Sequence, residues 1–161
     1  MPNVWIRQSL LEQMLSDVEF YSPLETGGSF FGYAAANNDV VITHLVAAGP
    51  NAKRTPNSFE PDQTYQLSEM EKLFYEKDSK LSYIGDWHSH PNNSPALSRK
   101  DEKTLRNIAL VKESQCPYPI MLIIGFYPDR TDINCVRFLS GRKLIWPFGF
   151  CKYEHLNLIV D

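Results

Sequence analysis

His88-Ser89-His90, seven residues, Ser98, two residues, Asp101: this stretch, HSHPNNSPALSRKD over residues 88–101, decides how the rest of the chain is read. Two imidazoles one residue apart on an extended strand point to the same side, because strand side chains alternate with a period of two. A carboxylate opening the next helix supplies a third donor. Three protein ligands with one open position make a catalytic zinc site, whereas a structural site is closed by four. The segment therefore predicts a strand, loop and helix that carry metal-assisted hydrolysis.

Each part also has a plainer reading. An isolated His-x-His pair fits two partly buried strand histidines as well as it fits metal ligands. Ser98 and Asp101 fit a capping box, in which the serine caps the helix and the aspartate reaches back. Two features favour the metal. Asp101 stands four residues before Leu105 and seven before Ile108, which puts it on the buried face of its helix. A carboxylate there is costly unless it is paired or binds a metal, and such a broken rule often marks a functional site. The strand also delivers both imidazoles at its C-terminal end, where a seven-residue loop can return Asp101 beside them. The helix N-terminus favours the ionised, metal-binding form of Asp101.

Outward from this unit, residues 81–90 form the strand that enters it and residues 98–113 a helix with Leu105, Ile108 and Ala109 inside. Upstream, residues 4–6 read either as a short strand or as the lead into a helix. Leu11, Met14, Leu15 and Val18 then mark one helical face, ended by Tyr21-Ser22-Pro23. Residues 28–35 and 40–47 are strands joined through Asn37-Asn38-Asp39, a hairpin. Residues 49–62, with three prolines, read as a loop, and residues 63–77 as a helix with Leu67, Met70 and Phe74 on one face. Residues 120–126 are nearly all apolar, as in a strand buried on both faces. A turn at 128–132, a strand at 133–138 and a segment after Lys143 complete the chain. Strands alternating with about three helices give an α/β or α+β layered domain with a mixed sheet.

A chain of 161 residues, 43% hydrophobic and 12% aromatic, suits one folded domain spanning residues 1–161. Its formal charge of −3, with no basic run, gives no footprint for nucleic acid. Nothing approaches the roughly 18 uninterrupted apolar residues of a membrane span. No export signal is visible, so a cytoplasmic location is expected by default. Cys116, Cys135 and Cys151 are odd in number and far apart, which suits reduced thiols better than disulfides or a cysteine zinc site.

His88, Ser89, His90, Ser98 and Asp101 match the JAMM metalloprotease motif in type and spacing, and Glu25-Thr26-Gly27-Gly28-Ser29-Phe30-Phe31-Gly32 matches its upstream glutamate element. Gly85-Asp86-Trp87-His88-Ser89-His90-Pro91 looks like the prokaryotic members in particular. The chain is thus similar to the JAMM (MPN/JAB) family. The resemblance implies one cytidine-deaminase-like domain with a curved mixed sheet. It implies one zinc ion per chain on His88, His90 and Asp101, with water as the fourth ligand. Glu25 would serve as general base and then acid, and Ser98 as donor to the oxyanion.

The implied activity is cleavage of the amide bond after the C-terminal tail of a ubiquitin-like or similarly conjugated protein. The implied partners are that protein and conjugating-type enzymes, with no nucleic acid and no membrane. Stand-alone prokaryotic members include deconjugating proteases of CBASS antiphage operons. Other small members cleave sulfur-carrier or cysteine-adduct peptides, and members lacking motif residues are scaffolds. Trp87 reads as core packing. Asp86 shares the face of His88 and reads either as an orienting group or as a surface or turn residue. His44 and His155 read as ordinary structural histidines. The loops at 49–62 and 91–97 are candidates for substrate contact.

Overall fold

The computed structural model describes residues 1–76, 81–141 and 151–161. In chain order the elements are β1 (Asn3–Ile6), α1 (Gln8–Tyr21), β2 (Gly27–Ala34), β3 (Val40–Ala47), β4 (Lys53–Thr55), β5 (Ser58–Glu60), α2 (Gln63–Glu76), β6 (Ser82–Pro91), α3 (Arg99–Leu110), β7 (Ile120–Phe126), β8 (Thr131–Gly141), β9 (Cys151–His155) and β10 (Asn157–Val160). The main sheet has eight strands in the order β10-β1-β3-β2-β6-β7-β8-β9, and β4 and β5 pair only with each other. Pairing is mixed: β1 runs parallel to β10 and β3, and β6 parallel to β7, while the other neighbours are antiparallel. Register shifts in β2 and β8 bend the sheet.

The α/β reading with three helices holds. β7 is buried along both faces, as its apolar run requires: Ile120, Leu122 and Ile124 join the core under α1, and Met121 and Ile123 join the core under α3. From α1, Leu11, Met14 and Val18 fill the first core. From α3, Leu105 fills the second, with Ala109 packed against it. Trp87 lies in the first core, as expected.

Three expectations need correction. Residues 49–62 are not a plain loop: the Pro56-Asn57 turn joins β4 to β5, and the Asp62 N–H closes the base on Ala48 O at 2.8 Å. The α3 helix ends at Leu110, not at 113, and a 3-10 turn at Lys112–Ser114 follows, held by the Ser114 hydroxyl on Ile108 O and Val111 O. In α2, Leu67 and Phe74 are exposed. The half-buried residues of the helix are Tyr65, Gln66, Glu69, Met70 and Leu73, and of these Gln66 and Met70 line the cavity beside β6. After Lys143, residues 142–150 lie outside the described residues, and two strands follow. The last of them, β10, pairs with β1, which settles residues 4–6 as strand.

Candidate metal centre

The β6 strand carries Asp86, His88 and His90 on one face, with Trp87 and Ser89 on the other. Ser89 locks this arrangement to β2. Its N–H donates to Thr26 O at 2.8 Å, and its Oγ accepts the Thr26 N–H at 3.0 Å. Gly27 lies opposite His88, and a Cβ there would stand 2.2 Å from Trp87 O and 2.8 Å from the Phe59 ring. Only glycine allows so close an approach beside the site.

Asp101 caps its helix and also faces the imidazoles. It forms the capping box with Ser98: its Oδ2 accepts the Ser98 N–H at 2.8 Å, and its N–H donates to Ser98 Oγ at 3.1 Å. It also faces the imidazoles, with Oδ1 3.2 Å from His88 Nε2 and Oδ2 3.7 Å from His90 Nε2. The two Nε2 atoms are 3.0 Å apart. All three residues are buried. Burial opposes ionisation of Asp101, but hydrogen bonds from His88 and Ser98 and the charge of His88 outweigh it and hold the carboxyl at about 2.

His90 Nδ1 lies 2.8 Å from Ser94 O, which can only accept, so Nδ1 carries the proton and Nε2 keeps its lone pair toward the cluster. Burial pushes the His90 pKa down, against that hydrogen bond, and favours the neutral ligand form.

This donor set fits a tetrahedral metal. Bonds of 2.0–2.1 Å put tetrahedral ligand atoms about 3.3 Å apart; the two Nε2 atoms at 3.0 Å and His88 Nε2 to Asp101 Oδ1 at 3.2 Å lie near that edge, and one ligand atom from each residue lies within 4.8 Å of the others. Among the described residues, this is the only cluster of His, Cys, Asp or Glu with metal-binding spacing. His44 and His155 stand outside it, beside Thr43 and Asn134.

Glu25, Phe59, Asp86, His88, Lys100 and Asp101 line one cavity of about 380 Å³. Burial raises the Glu25 pKa; the Asp101 charge adds to this, and His88 and Lys100 oppose it. Asp86 is no surface or turn residue, since it lines this cavity and accepts the Ser29 hydroxyl at 2.9 Å. Burial raises its pKa against the hydrogen bonds from Ser29 and Tyr83. Ser98 is exposed at the helix end, its Oγ accepting from Asp101 and its proton free to donate.

Sequence reasoning missed Phe59, Ser29 and Lys100. Phe59 had one signal, a lone aromatic in a polar loop; Ser29 becomes visible only through its register opposite Asp86.

Residues 7–139 match the family of prokaryotic homologs of the JAB domain. The chain belongs to the prokaryotic JAB family. Relatives agree. The probable metalloprotease y4qB of Sinorhizobium fredii is 39% identical over 127 residues, 78% of this chain and 77% of that protein. A CD-NTase/cGAS isopeptidase of Enterobacter hormaechei subsp. hoffmannii is 30% identical over 127 residues, 76% of this chain and 67% of that protein. A solution structure from Desulfitobacterium hafniense shares the fold, with a TM-score of 0.68 at 19% identity, covering 98% of this chain and 92% of that one. As a prokaryotic JAB protein, the chain is a JAMM-type hydrolase of the peptidase and isopeptidase class. No helix among the described residues is long and apolar enough to cross a membrane.

Proposed function

We propose that this prokaryotic JAB protein is a zinc-dependent isopeptidase or peptidase. It removes a ubiquitin-like or similarly conjugated protein by cutting the amide bond after that protein's C-terminal tail. The observation that carries the reading is the cluster of His88, His90 and Asp101, of which His88 and Asp101 line one cavity with Glu25. The isopeptidase name of the Enterobacter relative supports a conjugated substrate. We further propose that residues 1–161 act as one domain in the cytoplasm, beside conjugating-type enzymes and in antiphage defence.

In this reading His88, His90 and Asp101 hold one zinc ion per chain. Bound zinc makes water a nucleophile at neutral pH and polarises the amide carbonyl. The chain's own groups do the rest. Glu25, which lines the cavity beside His88 and whose pKa burial raises, takes the proton of the attacking water and passes it to the leaving amine. Ser98 donates its hydroxyl to the developing oxyanion. Ser94 O and the Ser98 N–H fix the orientation of His90 and Asp101.

The test mixes the zinc-loaded protein with ubiquitin-like conjugates and with sulfur-carrier and cysteine-adduct peptides, with and without chelator. Release from a conjugate of the ubiquitin-like protein with its free C-terminus, abolished by chelator and by Asp101→Ala, is the expected result. Cleavage of only the sulfur-carrier or adduct peptides would replace the substrate assignment, and no chelator-sensitive cleavage of anything would leave a scaffold.

A further inference from the structure

The β4–β5 hairpin consists of two three-residue strands paired only with each other. Such a ribbon is marginal in water by itself. Yet it carries Phe59 to the cavity wall beside Glu25 and His88, and the Glu25 N–H donates to its Thr55 O at 2.9 Å. Something must dock it, and Arg54 does. Its Nε donates to Thr26 Oγ1 at 3.2 Å and its Nη1 to Ala52 O at 3.4 Å. Its guanidinium lies on the Tyr21 ring, Cζ 3.6 Å from the centroid. The Thr26 hydroxyl in turn donates to Asp17 Oδ2 at 2.9 Å, so a half-buried cation and carboxylate meet through one buried hydroxyl.

Thr26 follows Glu25 directly and is bonded through both backbone groups to Ser89, between the two histidines. One guanidinium therefore holds the end of α1, the residue after Glu25, and the hairpin whose carbonyl holds Glu25. Stacking on a ring while donating in its own plane is what a guanidinium does better than an ammonium. Arg54 does not itself line the cavity.

We infer that Arg54 is a positioning residue: it pins the β4–β5 hairpin onto Tyr21 and Thr26 and thereby fixes the Glu25 main chain at the metal centre. Its effect on cleavage rests on the proton-transfer role proposed for Glu25.

Arg54→Ala, Arg54→Lys, Tyr21→Leu and Tyr21→Phe test this through amide hydrogen exchange in the metal-free protein. Arg54→Ala is expected to speed exchange at Glu25 roughly tenfold or more while β7 amides keep their rates. Tyr21→Leu should act in the same direction, Tyr21→Phe should change nothing, and Arg54→Lys should recover part of the protection. In the zinc-loaded protein, with a conjugate that the parent cleaves, Arg54→Ala should lower kcat about tenfold with a smaller change in KM. Unchanged Glu25 exchange in both Arg54→Ala and Tyr21→Leu overturns the inference, as does a rise shared equally by β7. A parent that cleaves nothing contradicts the proposed function instead, and the exchange result still decides the role of Arg54.

Discussion

Asp101 takes the Ser98 N–H on Oδ2 at 2.8 Å and turns Oδ1 to within 3.2 Å of His88 Nε2. One carboxylate thus closes the helix cap and completes a cluster that could hold a metal ion. The two roles separate by substitution. Asp101→Asn keeps an oxygen for the cap but removes a charge that His88 and Ser98 stabilise, so in metal-free form at neutral pH it should melt below the parent while α3 keeps its cap. Its zinc affinity should fall by more than the roughly 100-fold typical of losing an outer partner. Ser98→Ala should cost about 1 kcal/mol of stability and keep zinc, while lowering kcat. Metal content by mass spectrometry and calorimetric melting read both.

Glu25→Gln should bind zinc like the parent and lose cleavage by about 100-fold or more. It also carries a stability signature. Burial raises the Glu25 pKa above its ordinary 4.5, so the fold favours the neutral carboxyl. That contribution is complete below the unfolded value and is lost as pH rises through the folded one. In the metal-free protein the glutamine variant should therefore melt no lower than the parent at about pH 7. A lower melting point there would show that the glutamate charge is stabilised by its surroundings.

Gly27→Ala tests the close packing beside the site. Its new Cβ would meet Trp87 O at 2.2 Å and the Phe59 ring at 2.8 Å, and backbone cannot yield as a side-chain end can. Overpacking of about 1–3 kcal/mol is expected, with loss of cleavage, because β2 and β6 must separate where His88 is held. Urea denaturation and activity at matched folded fraction read the two effects.

Asp39 should dominate acid sensitivity far from the site. Hydrogen bonds from the Trp5 indole and from the Asn3 backbone and side chain hold its carboxyl at about 2, against the small opposing effect of burial. These contacts tie β1 to the start of β3. A depressed pKa gives stability that is present above the ordinary value of 3.8 and lost as pH falls toward about 2. Asp39→Asn should lower the melting temperature at neutral pH and flatten its fall across that acid window. An unchanged acid limb would contradict the assignment.

The cluster of His88, His90 and Asp101 is legible in sequence because its geometry is local. A period of two aligns His88 with His90, and helical spacing puts Asp101 on the face of Leu105. Glu25 needed the family pattern, since its approach to the donors depends on β2 pairing with β6. Arg54 and Phe59 were hidden for a physical reason: three-residue strands leave no period, and their Pro56-Asn57 turn reads as mere punctuation. The β10 strand was hidden by distance, because its partner β1 lies at the other end of the chain, with Asn157 and Asn3 separated by 154 positions. In α2 the apolar row misled, because the helix turns Gln66 and Met70 toward the cavity and leaves Leu67 60% exposed.

The central claim is that His88, His90 and Asp101 hold a zinc that cuts a conjugate. It is tested most directly by intact-mass spectrometry of a ubiquitin-like conjugate incubated with zinc-loaded protein, with and without chelator. The account predicts the mass of the released ubiquitin-like protein with its free C-terminus without chelator only, and no product from the Asp101→Asn variant. An intact conjugate beside a fully loaded metal site, or a product that chelator does not suppress, would contradict it.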